Sequence, residues 1–178
     1  MNTSAKCLTC LVKPSQFSCE ACENPVCKSC VEHLSEDRFF YAHEKPEISK
    51  HTRFCPQCFS ESVEPEIQKY EEILEKAKKV AYLPKSYKTY ILVKKEAKEE
   101  VILRDRKDKG DLILQMGYIA ASLGYNALVK AVVENERPKN DKNNYKKSFW
   151  HGRAYPANID QARLELEEYR DEVFCRGF

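Results

Sequence analysis

Eight of the nine cysteines in this 178-residue chain fall into four C-x-x-C pairs, CLTC, CEAC, CKSC and CPQC, between Cys7 and Cys58. The gaps between successive pairs are 8, 4 and 24 residues. Two residues between cysteines let both thiolates of a tight turn face one ion, at ~2.3 Å where that ion is zinc. Four pairs therefore supply two sites of four sulfurs each. A piece of about sixty residues buries too little apolar surface to offset its chain entropy, so it needs staples, either disulfides or metal.

The redox compartment decides between them. The opening MNTSAKCLTCLVKPSQF has no apolar run of leader length, and no later stretch reaches the ~18 apolar residues of a membrane span. A cytoplasmic chain without membrane insertion is the expectation, with reduced thiols available to metal. Two structural Zn2+ ions are the expected cofactors, because a closed tetrahedron of soft thiolates suits zinc; iron is the competing ion. Eight thiolates and two divalent ions would take the formal charge of +2 to about −2, since each four-thiolate site carries a net double negative charge. That balance disfavours nucleic-acid backbones and anionic lipids as partners of the finger.

Two pairings of the pairs are open. In an interleaved cross-brace, Cys7, Cys10, Cys27 and Cys30 hold the first zinc, and Cys19, Cys22, Cys55 and Cys58 hold the second. In the sequential alternative, pairs one and two share an ion, as do three and four. His33, His43 and His51 lie in the long gap and read as solvated loop residues. Phe17, Val26, Phe54 and Phe59 flank the pairs and are the expected small core.

The spacing resembles the cross-brace, or treble-clef, zinc fingers, and most closely FYVE domains, which also place four residues between the second and third pairs, here CEACENPVC. PHD fingers share that gap but carry histidine where this chain has Cys27; RING domains use a shorter gap and a histidine. The resemblance implies a two-ion framework over residues 1–60. FYVE binding of phosphoinositides depends on a basic, histidine-rich motif around the second pair, where this chain reads SQFSCEACE, so that binding does not carry over. A ubiquitin-ligase-like adaptor role, by the same analogy, needs an exposed apolar groove, for which Val26 and Leu34 are the residues on offer.

Beyond the finger, Ile67, Tyr70, Leu74, Ala77 and Ala81 recur at helical spacing within SVEPEIQKYEEILEKAKKVAYL, predicting a linker helix over 61–84, with Pro65 in its first turn and Pro84 as its stop. Its stripe docks on its own protein in preference to forming a coiled coil. Residues 85–178 then read as strand, helix, strand, polar loop, strand, helix, so the fold class is α+β, helices on a small sheet. The first strand is KSYKTYILVKKE, with EEVILRDRKD either a second strand or its continuation. The first helix carries Leu112, Ile113, Met116, Ile119, Ala120 and Leu123 on one side, with Asp111 as N-cap and Gly124 as its end. The phrases AASLGYNALVKAVVE and SFWHGRAYPANI resemble the small YbjQ-like and RcsF-like domains, which implies the same layout.

No Walker A loop, G-x-S-x-G or H-E-x-x-H is present, and an enzyme is not expected. Cys175 reads as a bystander, and His151, beside Trp150, as an edge-packing residue. The favoured function is a zinc-stabilised module for a protein partner. The alternative is RNA or single-stranded nucleic acid bound by loop 137–150, where Arg137, Lys139, Lys142, Lys146 and Lys147 precede Phe149 and Trp150.

Overall fold

The computed structural model describes residues 5–87, 91–136 and 148–160. The chain is α+β and divides into two compact units, Met1–Phe40 with Glu44–Glu71, and Tyr41–His43 with Glu72–Phe178. The segment NIDQARLELEEYRDEVF is expected to be a helix with Ile159 facing the core, but Asn158 and Ile159 end the last strand of the sheet, where Ile159 pairs with Val93. The remainder of that segment after Asp160, Cys175, and the basic part of loop 137–150 lie outside the described residues. Among the described residues no helix is long and apolar enough to cross a membrane.

The first unit is built from two short hairpins. Strand β1 (Phe17–Ser18) pairs antiparallel with β2 (Pro25–Val26), and β3 (Glu32–His33) with β4 (Arg53–Phe54). Its core is Val26, Leu34, Phe39, Phe54, Val63 and Tyr70, all buried, together with four of the cysteines. Of the residues expected there, Val26 and Phe54 are central. Phe59 packs edge-on to Phe54, its ring centroid 6.2 Å away, while Phe17 lies half-buried beneath the Arg53 guanidinium.

Helical structure begins at Pro56, earlier than the sequence suggests, with α1 (Pro56–Cys58), a π-helical turn (Phe59–Val63) and α2 (Glu64–Ala77) running on without a break. Pro65 therefore sits inside a helix instead of opening one. Its missing N–H and its ring would clash with a regular turn. The wide turn before it, in which Glu64 N–H donates to the Phe59 carbonyl, is the local adjustment. The helix also ends earlier, at Ala77. Ala81, placed on the helical stripe by its period, belongs instead to strand β5 (Ala81–Pro84). Tyr70 of the stripe is buried edge-on against Phe39, at 5.3 Å, within the first unit.

The second unit is a five-stranded sheet. Its long pair is β8 (Ala127–Glu136) antiparallel to β9 (Phe149–Ile159). On the far side of β8 lies β5, parallel to it; on the far side of β9 lie β6 (Val93–Glu96) and β7 (Val101–Arg106), both antiparallel. Thus EEVILRDRKD supplies a strand of its own, while among the described residues of KSYKTYILVKKE the strand is Val93–Glu96. Helix α3 (Lys109–Ser122) is capped by Asp108, whose carboxylate accepts the Asp111 N–H at 2.9 Å, three residues ahead of the predicted cap. All nine residues from Leu112 to Ala120 are buried, including the polar Gln115, so α3 is enclosed on every side along this stretch, and Leu123, expected in the core, is 61% exposed.

Alternation along the strands makes two cores. Leu103, Leu128, Ala131 and Ala154 meet Leu112, Met116 and Ile119 of α3, while Ala81, Ala127, Val129, Ala157 and Ile159 meet Tyr87 and Ile91. Trp150 packs against the first core, with the Lys109 ammonium 5.9 Å from its ring centroid, so its ring is already engaged. His151 bridges strands: its Nδ1 accepts the Asp105 N–H at 3.3 Å and its Nε2 lies 3.2 Å from Glu136.

The phrase LGYNA has a physical reading. Gly124 is left-handed at φ 79°; its N–H reaches the Ala121 carbonyl and the Tyr125 N–H reaches Ala120, closing α3 in a Schellman motif. The Asn126 side chain then accepts from the Ile159 N–H and donates to the Ile159 carbonyl, at 2.9 and 3.0 Å, as an extra strand residue would. Replacing Gly124 by alanine costs about 1 kcal/mol, because Cβ penalises the left-handed conformation. Thermal unfolding of the second unit should move down by a few degrees.

Candidate metal centres

Each cysteine pair sits in one of two local structures. Pairs one and two are knuckles: the Cys7 carbonyl accepts from Leu11 N–H at 2.9 Å, and the Cys19 carbonyl from Glu23 N–H at 2.8 Å. Leu11 and Glu23, one residue past each pair, take left-handed φ values of 59° and 61°. Pairs three and four are helical turns, in which Val31 N–H reaches the Cys27 carbonyl and Phe59 N–H the Cys55 carbonyl. Cys55 is the N-cap of α1, its sulfur accepting from the Cys58 N–H at 3.4 Å, with Pro56 in the first helical position.

The β1–β2 hairpin explains the interleaving. Pair two forms its tip, and β2 returns alongside β1, so pair three arrives next to pair one; Leu8 N–H donates to Pro25 and Gln16 N–H to Val26. Pair four is drawn to pair two by Glu20. Its backbone N–H donates to the Arg53 carbonyl, and its carboxylate accepts from Thr52 N–H and Arg53 Nε, both at 2.7 Å. The N–H of Thr52 and the guanidinium of Arg53 hold the Glu20 carboxyl below its ordinary range. Glu20→Gln should weaken this link by about 1 kcal/mol, the worth of a hydrogen bond to a charged group less its solvent exposure. Ion release from the second cluster to a chelator should then become easier by about fivefold.

Among the described residues the cysteines gather into two groups, Cys7, Cys10, Cys27 and Cys30, and Cys19, Cys22, Cys55 and Cys58, the four sulfurs of each lying within 4.8 Å of one another. Pair one joins pair three and pair two joins pair four, which is the cross-brace arrangement. These cysteines form no disulfides. His33 and His43 are exposed, and His51 faces Glu20 and Phe54; none of them enters a cluster.

The sulfur spacing tests the fit to an ion. Four sulfurs each ~2.3 Å from a central zinc define a tetrahedron with edges of about 3.8 Å. Cys10 and Cys27 Sγ are 3.8 Å apart, as are Cys22 and Cys55 Sγ. Without a cation the thiols of a group pull one another apart. The Cys10 N–H lowers the Cys7 thiol to about 6, while the neighbouring Cys27 sulfur, with burial, pushes Cys30 up to about 12. Burial raises Cys19, but the amides of Cys55, Cys22 and Ala21 outweigh it and bring it to about 7; burial and the sulfur of Cys22 push Cys58 well up. A divalent ion removes this conflict by stabilising all four thiolates together. Both groups fit zinc in ligand type, number and spacing.

Two surface features bear on partners. Val26 and Leu34 are buried, at 0% and 5% exposure, and so do not line an exposed groove. The first knuckle instead projects Leu8, Leu11 and Val12, at 54%, 64% and 80% exposure, flanked in sequence by the exposed Lys6 and Lys13. The signal for this tip was present in the string CLTCLV, three apolar residues around a metal-binding turn that has no room to bury them. Comparison with protein-family models, curated proteins and solved structures finds no match, so neither the FYVE-like nor the YbjQ-like resemblance is carried further, and what stands is a chain with two four-cysteine clusters suited to metal.

Proposed function

We propose that this chain is a zinc-stabilised, non-enzymatic module that presents the tip of its first knuckle to a protein partner. The observation that carries the reading is the pair of four-sulfur groups. An ion held by four cysteines has no open position for substrate or water, and such a site supplies folding energy instead of reactivity.

The tip gives the surface. Three apolar side chains kept in water, one of them in a left-handed conformation that costs leucine about 1 kcal/mol, do nothing for the finger's own core. The lysines around them favour a partner with an apolar depression rimmed by carboxylates. The test is to isolate partners with three baits: the zinc-loaded chain, the same chain after chelation, and a Leu11→Ser/Val12→Ser variant shown to retain two ions. A protein held by the first bait and lost from the other two supports the reading. The same set on all three removes it, as does turnover of any substrate at a cysteine-bound ion.

A further inference from the structure

The 24 residues separating the third and fourth cysteine pairs are far more than a turn needs. Their two ends belong to different clusters, Cys27 and Cys30 to one and Cys55 and Cys58 to the other. Their middle does not stay with the finger: Tyr41–His43 cluster with the second unit. There Ala42 is buried, at 8% exposure, and the Tyr41 hydroxyl donates to Asp111 Oδ1 at 2.7 Å. Asp111 lies in the first turn of α3, and its own N–H is the one capped by Asp108.

We propose that residues 31–54 are a metal-dependent strap, whose ends are fixed by the two ions and whose middle, through Tyr41, steadies the first turn of α3. This rests on the zinc reading above. A segment tethered at both ends closes only short loops to keep three central residues docked; freed at its ends, it closes longer loops for the same contact and pays more. Loss of the ions therefore loosens the start of α3 while leaving the sheet, which has its own two cores, in place. Metal occupancy of the finger is in this way reported to the second unit without any ligand reaching α3.

The experiment uses the full chain. Bound ions are counted by native mass spectrometry, and amide exchange is followed at 109–112 and along β8 and β9, before and after chelation. The sole tryptophan, Trp150, lies beside Lys109 at the start of α3 and gives a second readout by its emission. On removal of both ions, exchange at 109–112 should rise about tenfold and β8–β9 should stay protected, as expected of a local opening. In Tyr41→Phe, which keeps both ions, the same amides should already exchange fast and should no longer respond to zinc. Two ions bound and removed with no change at 109–112 would overturn the strap and leave the zinc reading standing. Loss of protection throughout β8 and β9 would also overturn it, since the ions would then support the whole chain. A folded finger that binds no ion would remove both readings.

Discussion

Chelation of the zinc-loaded chain should unfold the finger, and loss of a single sulfur should do the same to its cluster. Six side chains, Val26, Leu34, Phe39, Phe54, Val63 and Tyr70, form the non-cysteine core of the first unit. Burying one such side chain fully is worth about 1.5–3 kcal/mol, and ordering each residue costs about as much. A structural zinc contributes about 10–16 kcal/mol at neutral pH, and so decides the balance. Cys27→Ser should abolish binding at the first cluster, and Cys55→Ser at the second. Both effects are read by ion counting together with the loss of dispersed amide signals from residues 5–58. Acid should act like the chelator, because protons compete with the ion for all eight sulfurs. Recombinant protein that is folded over this span with no metal, or with its thiols joined as disulfides, would contradict the prediction.

The second large effect belongs to the sheet. Gly152 on β9 pairs with Leu103 and Val133 and faces α3, where an added Cβ would lie 2.7 Å from Met116 Sδ and 3.1 Å from Leu112 Cδ2. Leu112 and Met116 have no solvent exposure, so neither can swing outward to make room. Gly152→Val should destabilise the second unit by about 3 kcal/mol, the upper end of the cost of overpacking a filled core. The midpoint of its urea transition should fall while the ion count stays at two. Gly152→Ala should show the same effect at smaller size. An unchanged midpoint for the valine variant would mean that α3 does not lie against this strand as described.

The cysteine framework was legible because metal ligation is local chemistry: two residues between sulfurs set the knuckle, and the four-residue gap at 23–26 was enough to suggest interleaving. Selecting it over sequential pairing needed the β1–β2 hairpin and the Glu20 link to Arg53, which are contacts across the fold. The left-handed turns at Leu11 and Glu23 were hidden because neither residue is a glycine. Ala81 kept the helical period and yet entered β5, because parallel pairing with β8, more than forty residues away, outweighs local periodicity. Pro65 misled for a related reason: proline marks a helix start only when no wide turn precedes it. Asp108 and Asp111 are both good caps, and only the first had a helix beginning directly after it. The α+β class survived these shifts, since helix α3 and strand β8 carry clear apolar runs.

The interleaving also sets an order of events during synthesis. The first cluster is complete once Cys30 has emerged, whereas the second waits for Cys58, with the whole strap still to be made. In that interval Cys19 and Cys22 stand beside a finished site as spare ligands. Before Cys27 and Cys30 emerge, the first four sulfurs made are Cys7, Cys10, Cys19 and Cys22, the wrong set, so a nascent finger reaches its own pairing only if an ion is taken, or exchanged, after Cys30 is out.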